Sequence, residues 1–321
     1  MLVHVFLFAV GLVLLIKGGD WFVDGSVGLA HRFHVPELIV GATVVSIGTT
    51  LPEVMVSATS ALSGHSEIAY GNAIGSIICN TALIAAITVA VRPSPVDPKS
   101  LKMPVIFFFA ASAVYLFAAY FLGEFTRPIG LILLAVFVTY MFVNIRHGLK
   151  AADASGETEE DAPQRALWLE LVMLVVGAAL IAVGANLLVE HGTAIAEGLG
   201  VPESVIALTF VALGTSLPEL VTAITSLAKG HGSLSLGNII GANVFNLVLV
   251  SGVSVSLEPF TVPQSSTLFG QNASLVLDIP VMLTVMLLLT VPALVRKKLS
   301  RVQGFLLLAI YAAFCVIQFT M

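Results

Sequence analysis

Charge is what this sequence has least of: Asp, Glu, Lys and Arg make up 10% of its 321 residues, against about 25% in a soluble domain. Such a chain cannot cover its surface with ions, so its solvent is mostly lipid. The net charge of −5 says little, because charge in a membrane protein matters by location, and no nucleic-acid partner is expected. Cysteine is nearly missing as well. Cys79 and Cys315 lie far apart in apolar runs and read as small buried residues, with no disulfide framework. No basic n-region precedes the first apolar run, which continues into Lys17; no cleavable signal is therefore expected, and the first span itself directs insertion. A Ser/His/Asp triad, an HExxH helix and a phosphate-loop signature are all lacking, so the chain does not read as an enzyme and no cofactor is expected.

What is present instead is a series of apolar runs, each near the roughly 20 residues that a bilayer requires. Read from punctuation to punctuation they give ten spans, at roughly 2–31, 37–62, 67–91, 103–122, 128–147, 167–197, 203–228, 233–257, 273–294 and 302–320. The first and sixth are longer than a bilayer needs, which implies tilt or emergence. The basic residues orient the set. With the N-terminus outside, 12 of the 14 Lys and Arg fall in cytoplasmic loops, Arg127 alone falls outside, and Lys17 lies within the first span. The positive-inside bias then places both termini on the outer side. The only long hydrophilic stretch, 148–166, carries an acidic run at 156–161 and reads as a cytoplasmic linker between a first set of five helices (1–147) and a second (167–321).

A shift of 166 residues lays Gly41–Leu83 over Ala207–Leu249 without a gap, with 17 of 43 positions identical. Gly48-Thr49 and Leu51-Pro52-Glu53 meet Gly214-Thr215 and Leu217-Pro218-Glu219; Gly71-Asn72 meets Gly237-Asn238, and Asn80 meets Asn246. Val35-Pro36-Glu37 meets Val201-Pro202-Glu203 upstream. This is internal duplication. Because each half holds an odd number of spans, the second enters the membrane in the opposite sense. The expected fold is an all-α membrane protein of ten transmembrane helices in two inverted-topology repeats of five.

The repeated segment is also where the polar residues are. A carboxylate within a span costs at least about 2.5–3.5 kcal/mol, and no Lys or Arg lies in the two spans that carry Glu53 and Glu219. A bound cation is the economical partner. Each proline is expected to break its helix, freeing the carbonyls of Gly48 and Gly214; Thr49, Thr50, Thr215 and Ser216 add hydroxyls beside them. The following span of each half supplies Asn72 and Asn80, and Asn238 and Asn246, while Gly71, Gly75, Gly237 and Gly241 allow close helix approach. Carboxylate, amide, hydroxyl and carbonyl oxygens without soft ligands suit hard cations such as Ca²⁺ or Na⁺.

These paired Gly-Thr-Ser/Thr-Leu-Pro-Glu signatures resemble the alpha repeats of the cation/Ca²⁺ exchanger superfamily, the sodium/calcium exchanger family, in its compact prokaryotic form. The resemblance covers both halves. It implies antiport of Ca²⁺ against Na⁺ across a prokaryotic plasma membrane, with alternating access produced by sliding of the first and sixth helices. By motif position it implies Glu53 and Glu219 as acidic ligands, backbone carbonyls from Thr49, Thr215, Ser46 and Ala212, hydroxyls from Thr215 and Ser76, and Asn80 in the central ring. Two positions depart from the family pattern: Asn246 stands where an Asp is usual, and Ala242 where a Ser is usual. Rival readings are a Ca²⁺/H⁺ exchanger, favoured by Asn246, and an exchanger of another monovalent cation against protons. An intramembrane hydrolase lacks a group to activate water, and inverted repeats around an enclosed site disfavour a channel.

Outside the repeat, Asp20 and Asp24 either line an ion entrance or, the favoured reading, sit at wetted helix ends with Lys17 pairing Asp20. His65 and His231 read as exposed turn residues, with a pH effect through them as the alternative, and Asp278 as interfacial.

Overall fold

The computed structural model describes residues 2–155, 165–199, 214–264 and 267–320, nearly all of them helical. The helices are α1 (Leu2–Arg32), α2 (Glu37–Leu62), α3 (Ser66–Val91), α4 (Pro98–Leu122), α5 (Arg127–Ser155), α6 (Leu167–Gly198), α7 (Leu217–Ala228), α8 (Gly232–Leu257), α9 (Ser274–Arg296) and α10 (Arg301–Thr320). Among the described residues, nine are long and apolar enough to cross a membrane; α7 is an apolar helix whose expected first part, 203–213, lies outside them.

Two packing bodies can be told apart. A large apolar core joins α3, α4, α5, α8, α9 and α10, with Phe108, Tyr115, Phe125, Tyr140 and Phe245 among its fully buried rings. A smaller one joins α1 and α6 and leans on α2 and α8, through Leu15, Phe22, Val23, Ile181, Val45 and Leu234. α3 and α8 are the most enclosed spans, which fits their place at the centre.

The seam between α1 and α6 is made by glycine. A Cβ added to Gly11 would stand 3.0 Å from the Gly184 carbonyl oxygen, one on Gly18 2.9 Å from that of Gly177, and one on Gly25 2.7 Å from that of Glu170. Each step of seven residues along α1 is matched by a step of seven back along α6. The helices are therefore antiparallel, with one glycine stripe per helix allowing the backbones to touch.

Loops pair in two groups. Strand β1 (Glu124–Phe125) pairs with β2 (Phe260–Thr261), and β3 (Thr267–Leu268) with β4 (Gln271–Asn272). At the other end the 92–97 loop meets the start of α10: the Val96 N–H donates to Lys297 O at 2.9 Å, and the Leu299 N–H to Ser94 O at 3.0 Å. The Arg92 guanidinium donates to Leu227 O there as well. Each of these contacts joins loops expected on the same side of the bilayer.

Candidate functional site

Glu53 lies on α2 and Glu219 in the first turn of α7, both without solvent exposure. The two motifs are not built alike. Pro52 sits inside a helix that runs unbroken over Ser46–Leu62, so the expected break beside Glu53 is not formed. The ring still lacks the N–H that would reach the Gly48 carbonyl, and the irregularity lies upstream, in a widened π-type turn at Gly41–Val45. In the second motif, residues 214–216 form a turn, and Pro218 lies in the first turn of the helix that begins at Leu217, with Ser216 at the N-cap position but making no side-chain cap bond. A proline in the first turn of a helix costs no hydrogen bond.

The two motifs are tied to each other through the asparagines of the neighbouring spans. The Thr49 hydroxyl donates to Asn238 Oδ1 at 3.2 Å. At the repeat-equivalent positions, the Thr215 hydroxyl donates to Asn72 Oδ1 at 3.3 Å. One contact thus occurs twice, each time crossing from one half of the chain to the other. Asn72 further donates to Glu53 O at 3.2 Å and to the Ser57 hydroxyl at 2.8 Å, holding α3 against the turn that carries the acid. The Ser46 hydroxyl donates to Gly41 O at 2.8 Å and also faces Asn238 O. The Thr50 hydroxyl lies 3.4 Å from Glu219 Oε1, which brings the face of α2 bearing Glu53 to the acid of α7.

Glycine sets how closely these spans lie. A Cβ on Gly41 would strike the Leu234 carbonyl oxygen, one on Gly237 the Leu38 carbonyl oxygen, and one on Gly241 the Ser46 hydroxyl. The α2–α8 contact is therefore backbone to backbone. A Cβ on Gly71 or Gly75 would meet no described atom within 4 Å.

Within this frame, both Glu53 oxygens, Glu219 Oε2, both amide atoms of Asn80 and of Asn246, and the Ser216 hydroxyl are buried with no hydrogen-bond partner among the described residues. Each orphaned polar group costs about 1–3 kcal/mol, more when charged, so the set as it stands favours a bound cation. Asn80 and Asn246 open the two equivalent π-type turns, Asn80–Ala85 and Asn246–Val250. Such turns, rare elsewhere, frequent functional sites. Thr49, Thr50, Ser46, Ser76 and Ser216 are buried and Thr215 half-buried. The structure thus brings together Glu53, Glu219, Thr49, Thr50, Thr215 and Ser46 through these bonds. Ser76 lies one turn before Asn80 on α3, with no hydrogen bond recorded for it among the described residues; Ala212 is outside them. Ala242, on α8, is fully enclosed.

Ion pairs collect at the end of the molecule opposite β1 and β2. Lys229, just beyond α7, reaches Asp24 at 2.7 Å and Asp20 at 3.3 Å. Lys229 is thus the recorded partner of Asp20, in place of the locally spaced Lys17. Arg32 pairs with buried Glu170 at 3.0 Å, closing the glycine seam. His231 is not a free turn residue: its Nδ1 lies 2.7 Å from Glu37 Oε1. Asp278, half-buried, accepts from the Gln318 amide at 2.6 Å. The α1–α6 seam carries a sequence signal in each helix, the seven-residue glycine steps at 11, 18 and 25 and at 177 and 184, but not their mutual register; Lys229 carries none, because its partners are some 200 residues away.

The sodium/calcium exchanger protein family matches residues 3–146 and 169–320. The sodium/calcium exchanger MaX1 of Methanosarcina acetivorans is 31% identical over 353 residues, covering 99% of each chain. The inner membrane protein YrbG of Escherichia coli is 33% identical over 270 residues, covering 81% of each. Among solved structures, the sodium-calcium exchanger NCX_Mj, soaked with 2.5 mM Na⁺ and 10 mM Sr²⁺, superposes with a TM-score of 0.82 at 32% identity, covering 98% of each chain.

Proposed function

The chain belongs to the sodium/calcium exchanger family, and on that premise we propose that it is a secondary active antiporter exchanging Ca²⁺ for Na⁺ by alternating access. The observation that carries the reading is the pair of fully buried carboxylates, Glu53 and Glu219, set among amide and hydroxyl groups and braced by the same Thr–Asn bond in each half. Oxygen donors of this kind take hard cations. Na⁺ and Sr²⁺, the ions soaked into NCX_Mj, are of that class.

In this reading ten helices form two inverted repeats of five, 1–147 and 167–321, joined by the linker 148–166. Both termini lie on the outer side of a prokaryotic plasma membrane. The doubled Thr–Asn bond and the grouping of the loops support it. Glu53 and Glu219 would balance one Ca²⁺, with Asn80 and Asn246 completing the ring and Thr49, Thr50, Thr215, Ser46, Ser76, Ala212 and Ser216 serving it or flanking Na⁺ positions. Na⁺ ions compete for the same carboxylates. A half-filled site leaves a buried carboxylate unpaired, which costs several kcal/mol. The α1–α6 pair therefore slides past the core only when the site is loaded with one ion type or the other, and exchange stays coupled.

Asn246 favours a second reading, Ca²⁺/H⁺ exchange: without an acid at that position the site holds two carboxylates, and both can carry protons. Radioactive Ca²⁺ uptake into proteoliposomes under separately imposed Na⁺, K⁺ and H⁺ gradients tests the two. Uptake driven by the Na⁺ gradient alone is expected. Uptake driven by the pH gradient in Na⁺-free buffer would replace the first reading with the second, and uptake under none of them would end both.

A further inference from the structure

The seven-residue steps of the glycine seam continue outward for one more step in each helix, and there the residues are His4 on α1 and His191 on α6. Their Nδ1 atoms stand 3.1 Å apart, with ring centroids 5.2 Å apart and planes tilted by 59°. His191 is buried and His4 half-buried, so the pair is held by the seam and open on one side.

Two imidazole nitrogens bound to one metal at about 2.0–2.1 Å lie roughly 3.0 Å apart for a right-angle geometry and about 3.4 Å for a tetrahedral one. The observed separation falls between these limits. We propose that His4 and His191 form a binding site for a divalent transition metal of the Zn²⁺, Cu²⁺ or Ni²⁺ class, bridging the outer ends of α1 and α6. Imidazole nitrogen suits these metals, whereas Ca²⁺ and Na⁺ take oxygen. The site is thus chemically distinct from the one around Glu53 and Glu219.

The proton balance is simple. In the metal-free pair one Nδ1–H donates to the other Nδ1. On binding, both Nδ1 lone pairs turn to the metal, and the donor ring carries its proton on Nε2 instead. Water completes the coordination shell from the open side. α1 and α6 are 31 and 32 residues long, more than the roughly 20 that span a bilayer, so their ends reach the aqueous interface where the metal arrives. Since the two ligands stand on two helices of one seam, the metal staples those helices to each other.

The test uses the full chain, purified without a histidine tag and kept in saturating Ca²⁺ so that the oxygen site does not compete. Thermal unfolding is followed against Zn²⁺, alongside His4→Gln and His191→Gln. The wild type gains melting temperature as Zn²⁺ rises, and either substitution weakens that Zn²⁺ affinity about tenfold or more. Electron paramagnetic resonance with one equivalent of Cu²⁺ on the wild type reads the site without any variant: two imidazole nitrogens are expected on the copper. A Zn²⁺ response equal in all three proteins, or none in the wild type, overturns the proposal, as does a copper spectrum without two imidazole nitrogens. None of these readings depends on transport, so they can fail while the exchange activity stands.

Discussion

The core and the α1–α6 pair solve opposite problems with the same small residue. In the core, Gly41, Gly237 and Gly241 bring α2 and α8 to backbone contact, and the space so saved is filled with hydrogen bonds between Thr, Ser and Asn. In the α1–α6 pair, Gly11, Gly18, Gly25, Gly177 and Gly184 bring two helices just as close, but the residues packed along the seam are largely apolar, with the Arg32–Glu170 ion pair at one end and the His4–His191 pair at the other. The first arrangement fixes a polar site in one geometry. The second makes two helices into one smooth body with few directional ties to what it lies against. Between the two bodies run contacts that can be released: Phe22 against Gly48, Gly19 against Val221, and the Lys229 pairs with Asp20 and Asp24.

That contrast can be broken at the core with the largest effect. Glu53→Gln or Glu219→Gln removes one of the two carboxylates proposed to hold the cation; a broken buried pair costs about 3–5 kcal/mol, or more than about a hundredfold in Ca²⁺ affinity. Isothermal titration and Na⁺-driven Ca²⁺ uptake should both fall to that extent, while thermal stability without ions holds or rises. Next comes the seam. Gly177→Val places a side chain where a Cβ would already stand 2.5 Å from the Phe22 amide nitrogen. Overpacking of this kind costs about 1–3 kcal/mol, read as a drop in melting temperature, with Ca²⁺ affinity changed far less than by the carboxylate substitutions.

The braces sharpen the comparison further. Asn238→Ala takes away the acceptor of Thr49, and Asn72→Ala that of Thr215; each should weaken Ca²⁺ binding by about tenfold, in keeping with a lost buried bond of about 1–2 kcal/mol. Equal losses at the two positions are the expectation of pseudo-symmetry, and a loss at one alone would contradict it. The smallest effect belongs to the contacts between the bodies. Lys229→Ala frees Asp20 and Asp24 at a partly exposed site, where such pairs are worth up to about 1 kcal/mol. It should shift the balance of outward- and inward-open forms by no more than about fivefold, seen in the accessibility of a cysteine placed in the crevice between Phe22 and Pro218.

The core was legible because its register is written twice. The 166-residue shift pairs Glu53 with Glu219 and Asn72 with Asn238 without any three-dimensional knowledge, and polar residues in apolar spans stand out by cost alone. Less legible were the partners. Proline at 52 and at 218 reads the same, yet the helix runs through the first and starts at the second, because tertiary packing, not the local motif, decides whether a proline is tolerated mid-helix. Asp20 points to Lys17 by helical spacing, but the end of α7 supplies Lys229 at 3.3 Å, a partner no local rule can foresee. The glycine steps on α1 and α6 are visible in each helix alone; that they face each other in antiparallel register is not.

The central claim is that α1 and α6 move together past a fixed core. Pulsed spin-label distances measure this directly, with labels at the exposed positions Val13 on α1, Val183 on α6 and Val138 on α5, in a chain whose Cys79 and Cys315 are replaced. Between Na⁺ and Ca²⁺ conditions that favour opposite faces, the Val13–Val183 distance should stay constant while the Val13–Val138 distance changes. A changing α1–α6 distance, or a fixed α1–α5 distance during active exchange, would contradict the account.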